Sequence, residues 1–184
     1  RTRRSRNSSA LIILDMLSEF EFPDGDVVLR AARRIAKPIA RLKQRARTAK
    51  ISVIYVNDTA GKWESDQQAF VDRCLEGKGR EIAELLRPAK DDYFMFKPKH
   101  SAFYGTPLAE LLRMLKVQQL MLTGTTSHQC VLFTASDAHV RELAVTIVTD
   151  CIAAASAEET RHALFIYRRA LQAQVIRSTS ISFT

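Results

Sequence analysis

This chain lacks most of the features that settle a function at a glance. Three cysteines in 184 residues, with no C-x-x-C pair, fit free thiols in a reducing compartment, and an odd count leaves at least one outside any pairing within the chain. No apolar stretch approaches the roughly 20 residues that a membrane-spanning helix needs, so no membrane partner is expected. Gly124 stands alone, without a G-x-G-x-x-G run or a P-loop, which argues against a nucleotide-binding module. The four histidines, His100, His128, His139 and His162, are scattered without H-x-x-x-H spacing and read as surface or turn residues. No repeat, low-complexity tract or linker divides the sequence. One domain over 10–184 is expected, preceded by a flexible basic tail over 1–9.

What is present is an ordinary globular composition, 46% hydrophobic and 26% charged, with an excess of eight positive charges. Arg1, Arg3, Arg4 and Arg6 of the tail carry four of them, and most of the rest lies in 30–50, where basic residues alternate with an apolar stripe. No recognition motif accompanies that stripe, so it reads as a solvated helix face and no nucleic-acid partner is expected.

Apolar runs and helical periods alternate along the chain. Leu11 to Leu14 form a short continuous run, as in a central parallel strand covered on both faces. Val28, Ala32, Ile35, Ile39, Leu42 and Ala46 then recur at helical spacing, with Asp26 as the expected N-cap and a kink or fresh first turn expected at Pro38. Further strands are read at 51–57, 92–97, 118–124, 144–150 and 172–179. Helices are read over 67–87, broken near Gly77 and Gly79, from Pro107 with Thr106 as N-cap, from Cys130, and over 157–170. This alternation predicts an α/β fold with three α/β/α layers, a doubly wound, mainly parallel six-stranded sheet covered by helices on both faces.

Three of the strands end on chemistry. ALIILD closes on Asp15, DYFMFK closes on Lys97, and QQLMLTG passes through TTSHQ to Cys130 at the start of a helix. In an open parallel sheet the carboxyl ends of neighbouring strands share a crevice, so acid, amine and thiol can meet there. A helix N-terminus and a nearby lysine would both favour thiolate over thiol, and the N–H groups of the turn could form an oxyanion hole. Taken singly, each residue has a plainer reading: buried thiol packing for Cys130, a cap for Asp15, one more surface lysine for Lys97. Cys74 and Cys151 have no charged partner in view and read as structural.

The segments ALIILDML, KPKHSAFYGTPLAELL, GTTSHQCVLFTASDA and VTDCIAAAS, in this order and spacing, resemble the isochorismatase-like cysteine hydrolases, the superfamily of nicotinamidases, N-carbamoylsarcosine amidases and ureidoacrylate amidases. The resemblance implies Asp15 as general base, Cys130 as nucleophile, and Lys97 rather than Lys99 as the triad lysine, because Lys97 stands four positions before Ser101 in K-x-x-x-S-A-F. It implies a cis peptide joining Thr125 to Thr126, with the N–H groups of Thr126 and Cys130 as the oxyanion hole. Phe20, Asn57, Trp63, Phe103 and Tyr104 are pocket-lining candidates, since each follows a strand end or flanks a triad residue; core or interface packing is an equal alternative for the aromatics.

Two departures shape the expected function. Nicotinamidases carry an Asp-x-His and a further histidine that bind a metal, whereas NDTAGKWESD contains no histidine, so no catalytic metal and no cofactor are expected. The turn reads Thr126-Ser127-His128 where the family commonly has Ala-Thr-Asp, which leaves substrate identity open. Isochorismate-cleaving members tend to lack the cysteine, so Cys130 favours cleavage of a small amide, ureido or carbamoyl compound; vinyl-ether hydrolysis without a covalent step is the rival. A cytoplasmic homo-oligomer, dimer or tetramer, acting on a small molecule is the resulting expectation.

Overall fold

The computed structural model describes residues 8–59, 61–63 and 65–183. Six strands, β1 (Ser9–Leu14), β2 (Ser52–Asp58), β3 (Tyr93–Lys97), β4 (Gln119–Thr125), β5 (Ala144–Ala153) and β6 (Gln174–Ile176), form one sheet in the order β3-β2-β1-β4-β5-β6. Every pairing is parallel. The chain winds outward from β1 in one direction and then, from β4, in the other. The reversal falls between β1 and β4, where the connections that leave the two strands diverge and open a crevice at their carboxyl ends.

Strand periodicity separates two cores. Leu11 and Ile13 face one side with Ala32, Ile35, Ile39 and Leu42 of α1 (Gly25–Thr48), Phe70 and Cys74 of α2 (Gln67–Glu76) and Ile82 of α3 (Arg80–Leu85). Ala10, Ile12 and Leu14 face the other with Leu108 and Leu112 of α4 (Leu108–Met114), Val131, Ala135 and Ala138 of α5 (Cys130–Val140) and Tyr167 of α6 (Ala157–Arg169). Buried on both faces, β1 needs an unbroken apolar run, and it has one. No helix among the described residues is long and apolar enough to cross a membrane.

The boundaries correct the sequence reading in several places. Ser9 already pairs with Gln119, and the Ser8 carbonyl accepts from the N–H groups of Gln118 and Gln119, so the sheet begins before Ala10; the rest of the basic tail lies outside the described residues. Helix α1 starts at Gly25 rather than after Asp26, because Asp24 takes the cap position with φ of 65° and Asp26 pairs instead with Lys78 at 2.9 Å. Pro38 neither breaks nor restarts α1. Its ring removes one donor to the carbonyl of exposed Arg34, where water can serve. Pro107 is the cap of α4 and not its first residue, while the Thr106 hydroxyl accepts from Leu108 N–H at 3.2 Å. Strand β5 bulges opposite Leu122 and Gly124 and runs to Ala153, taking in Cys151. The last strand is shorter than expected because the chain turns at Ser178, held by the Asp150 carboxylate through its N–H at 2.6 Å and its hydroxyl at 2.7 Å.

Candidate active site

The crevice between β1 and β4 is built on a close backbone approach. Gly124 has φ of 112°, and a Cβ there would lie 1.9 Å from the Leu14 carbonyl oxygen, so only glycine lets β4 run this near the end of β1. Asp15, the next residue along β1, takes φ of 50°; its N–H donates to the Val56 carbonyl at 3.2 Å and its own carbonyl accepts from the Thr125 hydroxyl at 3.0 Å. Neighbouring strands on both sides therefore fix where its carboxylate points.

Lys97 is the last residue of β3, in register with Asp58 of β2. Its side chain is 0% exposed, and its Nζ lies 2.9 Å from Asp15 Oδ2, 3.3 Å from Asp58 Oδ2 and 3.5 Å from Cys130 Sγ. Asp15 Oδ1 accepts from the Asp58 N–H at 2.6 Å, Oδ2 lies 2.9 Å from the Lys97 ammonium, and the carboxylate also interacts with the Cys130 thiol. Acid, amine and thiol, widely separated along the chain, thus meet around one nitrogen.

Burial governs their protonation. Desolvation raises the Asp15 carboxyl above its ordinary range, with the Lys97 ammonium pulling the other way. For Lys97, burial acts to lower the ammonium, but the charges of Asp15, Cys130 and Asp58 outweigh it and hold the group well above its usual value. Burial pushes the Cys130 thiol up, Asp15 pushes it further, and Lys97 only partly offsets them. Burial and the adjacent carboxylate thus oppose the thiolate that the helix N-terminus and the lysine favour.

The turn before Cys130 has a cis peptide between Thr125 and Thr126. The Thr126 carbonyl accepts from the N–H groups of Gln129 at 3.1 Å and Val131 at 3.2 Å, and the Ser127 N–H donates to the Ala153 carbonyl at 2.8 Å. Among the described residues, the N–H groups of Thr126 and Cys130 have no acceptor. Two unsatisfied donors beside a thiol can take up an anionic oxygen.

The pocket candidates fare unevenly. Asn57 is buried and donates to the Leu17 carbonyl at 2.6 Å, with its Oδ1 unpartnered, so it ties β2 to the segment after β1. Phe20 packs in the α1-side core, its ring so close to Gly79 that a Cβ there would come within 2.7 Å of it, and it also lines a surface pocket with Phe22, Pro23 and Lys78, none of which is a neighbour of Lys97 or Cys130 named above. Phe103 packs in the opposite core with the Arg141 guanidinium 4.7 Å from its ring centroid. Tyr104 is exposed, and Trp63, 98% exposed, stands clear of the protein and forms no wall.

Two residues at the site escaped the sequence reading. Asp58 immediately follows Asn57 at the end of β2, and the strand-end logic that selected Asp15 and Lys97 would have selected it too. His100, read as a surface or turn residue, is exposed but places Nδ1 3.9 Å from Cys130 Sγ, with its ring 5.4 Å from that of Phe133. The signal was its place three residues beyond Lys97. No group of three His, Cys, Asp or Glu side chains able to hold a metal ion occurs among the described residues. Cys74 and Cys151 are free, buried thiols, each pushed up to about 12 by burial, with Glu19 adding to the first and Asp150 to the second.

Comparison with known proteins places this arrangement. The profile of the Isochorismatase domain matches residues 9–180. The chain is 38% identical over 177 residues to YaaI of Bacillus subtilis, an isochorismatase family protein, covering 96% of this chain and 98% of that one. Among solved structures, a cysteine hydrolase from Pseudomonas syringae pv. phaseolicola superposes with a TM-score of 0.78 at 25% identity, covering 97% of this chain and 92% of the other. An N-carbamoylsarcosine amidase from Thermoplasma acidophilum gives 0.74 at 27% identity, covering 95% and 99%.

Proposed function

This chain belongs to the isochorismatase family of hydrolases, and from that premise we propose that it cleaves a C–N bond of a small amide, ureido or carbamoyl compound through a thioester on Cys130. The observation that carries the reading is the buried ammonium of Lys97, in contact with both Asp15 and the Cys130 sulfur. A thiol needs a base at the moment of attack, and the Asp15 carboxylate beside it supplies one. Lys97 stabilises the sulfur while it is anionic. The N–H groups of Thr126 and Cys130 stabilise the oxygen of the tetrahedral intermediate. In the simplest cycle Asp15 passes the thiol's proton to the leaving nitrogen and then accepts one from the water that releases the acyl group. The N-carbamoylsarcosine amidase among the structural relatives is by name an enzyme of that kind.

Mass spectrometry of the intact protein, after incubation with a panel of primary amides and N-carbamoyl acids, tests this. An acyl adduct on Cys130, and loss of turnover in Cys130→Ala, are the expected results. Undiminished hydrolysis by Cys130→Ala would transfer the assignment to cleavage without a covalent step.

A further inference from the structure

We propose that His100 is a catalytic residue of this site, giving a proton to the departing nitrogen and taking one from the water that follows. The inference rests on the thioester reading above and leaves Asp15 to hold the thiol's proton.

Position is the first argument. Asp15 and Lys97 flank the Cys130 sulfur from the protein interior, with side chains 15% and 0% exposed. His100 approaches the same sulfur at 3.9 Å but is open to solvent. A substrate carbonyl approaching the sulfur from the His100 side would bring its leaving nitrogen, attached to the carbon under attack, towards Nδ1.

The imidazole is also held in place. Its ring lies against Phe133 of α5. The next residue, Ser101, is buried and donates its hydroxyl to the Asp137 carboxylate, and the Ala102 N–H donates to the Thr134 hydroxyl at 3.0 Å. Asp137 and Thr134 belong to α5, the helix that Cys130 opens. The loop bearing the imidazole and the helix bearing the sulfur are thus bolted to one another, which fixes their separation.

The proton account closes. The Cys130 thiol gives its proton to Asp15 as the S–C bond forms, and the C–N bond breaks with its electron pair leaving on nitrogen. That nitrogen takes a proton from the His100 imidazolium. Water then attacks the thioester and gives a proton back to His100, the C–S bond breaks, and the sulfur recovers its proton from Asp15. Burial, which favours the neutral carboxyl, suits Asp15 to keep that proton throughout the acyl-enzyme stage.

The test compares wild type, His100→Ala and His100→Gln on the primary amide that labels Cys130 fastest and on the p-nitrophenyl ester of the same acyl group. Nitrophenolate leaves without a proton. For the amide, kcat/KM should fall about 100- to 10,000-fold in both variants, the usual contribution of a positioned acid or base. The ester should acylate within about tenfold of the wild-type rate. It should then stall as acyl-enzyme, because deacylation lacks its base, and added imidazole should restore amide turnover to His100→Ala. Equal losses in acylation by amide and ester would mean a merely structural role, and undiminished amide turnover would mean none; either overturns the proposal while leaving the thioester intact. Absence of any acyl adduct on the wild-type protein would instead remove the thioester reading, and this inference with it.

Discussion

Replacing Lys97 with methionine is the most informative perturbation, because the side chain is wholly buried and contacts both Asp15 and Cys130. Methionine fills similar space without charge, so the change isolates the ammonium. Asp15 would be left buried without its counter-charge, and breaking a buried pair from one side costs about 3–5 kcal/mol. Asp58, 40% exposed, would add little, since solvent screens it. For a domain of this size the loss corresponds to a Tm lower by about 6–20 °C.

The pH dependence carries the sign. The Asp15 carboxyl is already raised by burial against the pull of Lys97, and removing Lys97 raises it further. Above the new value the folded variant holds an unpaired buried carboxylate and the full deficit appears; as pH falls through it, the carboxyl takes up a proton and the deficit shrinks. Wild type meanwhile loses the partner of its buried ammonium, which narrows the gap further. Urea unfolding of both proteins from about pH 8 down to about pH 4 would trace this. Equal stability at neutral pH, or a deficit that grows on acidification, would refute the reasoning.

Alkylation of Cys130 by iodoacetamide should be slow at neutral pH and still rising above the ordinary thiol range, because burial and Asp15 raise the thiol; a plateau below neutrality would contradict that order of charges. Gly124→Ala should prevent the β1–β4 approach, with a Cβ 1.9 Å from the Leu14 oxygen, and soluble expression with unchanged melting would show that the backbones can part there. Cys74→Ala should cost about 1–3 kcal/mol of stability in urea unfolding and leave most turnover, whereas loss of turnover at full stability would give this thiol a role at the site. Trp63→Ala, at an indole 98% exposed, should change stability by no more than about 0.5 kcal/mol, and a larger loss would mean that the ring is covered in solution, as by a second copy of the chain.

The fold was legible because period and punctuation agreed: Leu11 to Leu14 could serve only as a strand covered twice, and the α1 stripe could face only one way. Boundaries were less so. Asp26 and Asp24 are chemically interchangeable as caps, and only the approach of Phe20 to Gly25, where a Cβ would meet the Phe20 carbonyl oxygen at 2.2 Å, decides where the helix begins. At the site, strand ends disclosed Asp15 and Lys97, since their positions follow from topology. His100 was hidden because its loop is placed by Ser101 and Ala102 gripping α5, a tertiary contact without a sequence period. The upward push on the Cys130 thiol was hidden for a related reason: a helix terminus shows in sequence, but the depth of burial does not.

The position of β1 between β2 and β4 also has a consequence for biosynthesis. Strand β1 meets one of its two partners only after β4 has emerged from the ribosome, so its second edge stays open until then. An uncovered apolar edge invites pairing with other nascent chains, and this protein should lean on chaperones until β4 docks. The same delay keeps the sulfur away from its acid and its amine until the sheet is nearly whole, so no half-made enzyme is released into the cell armed.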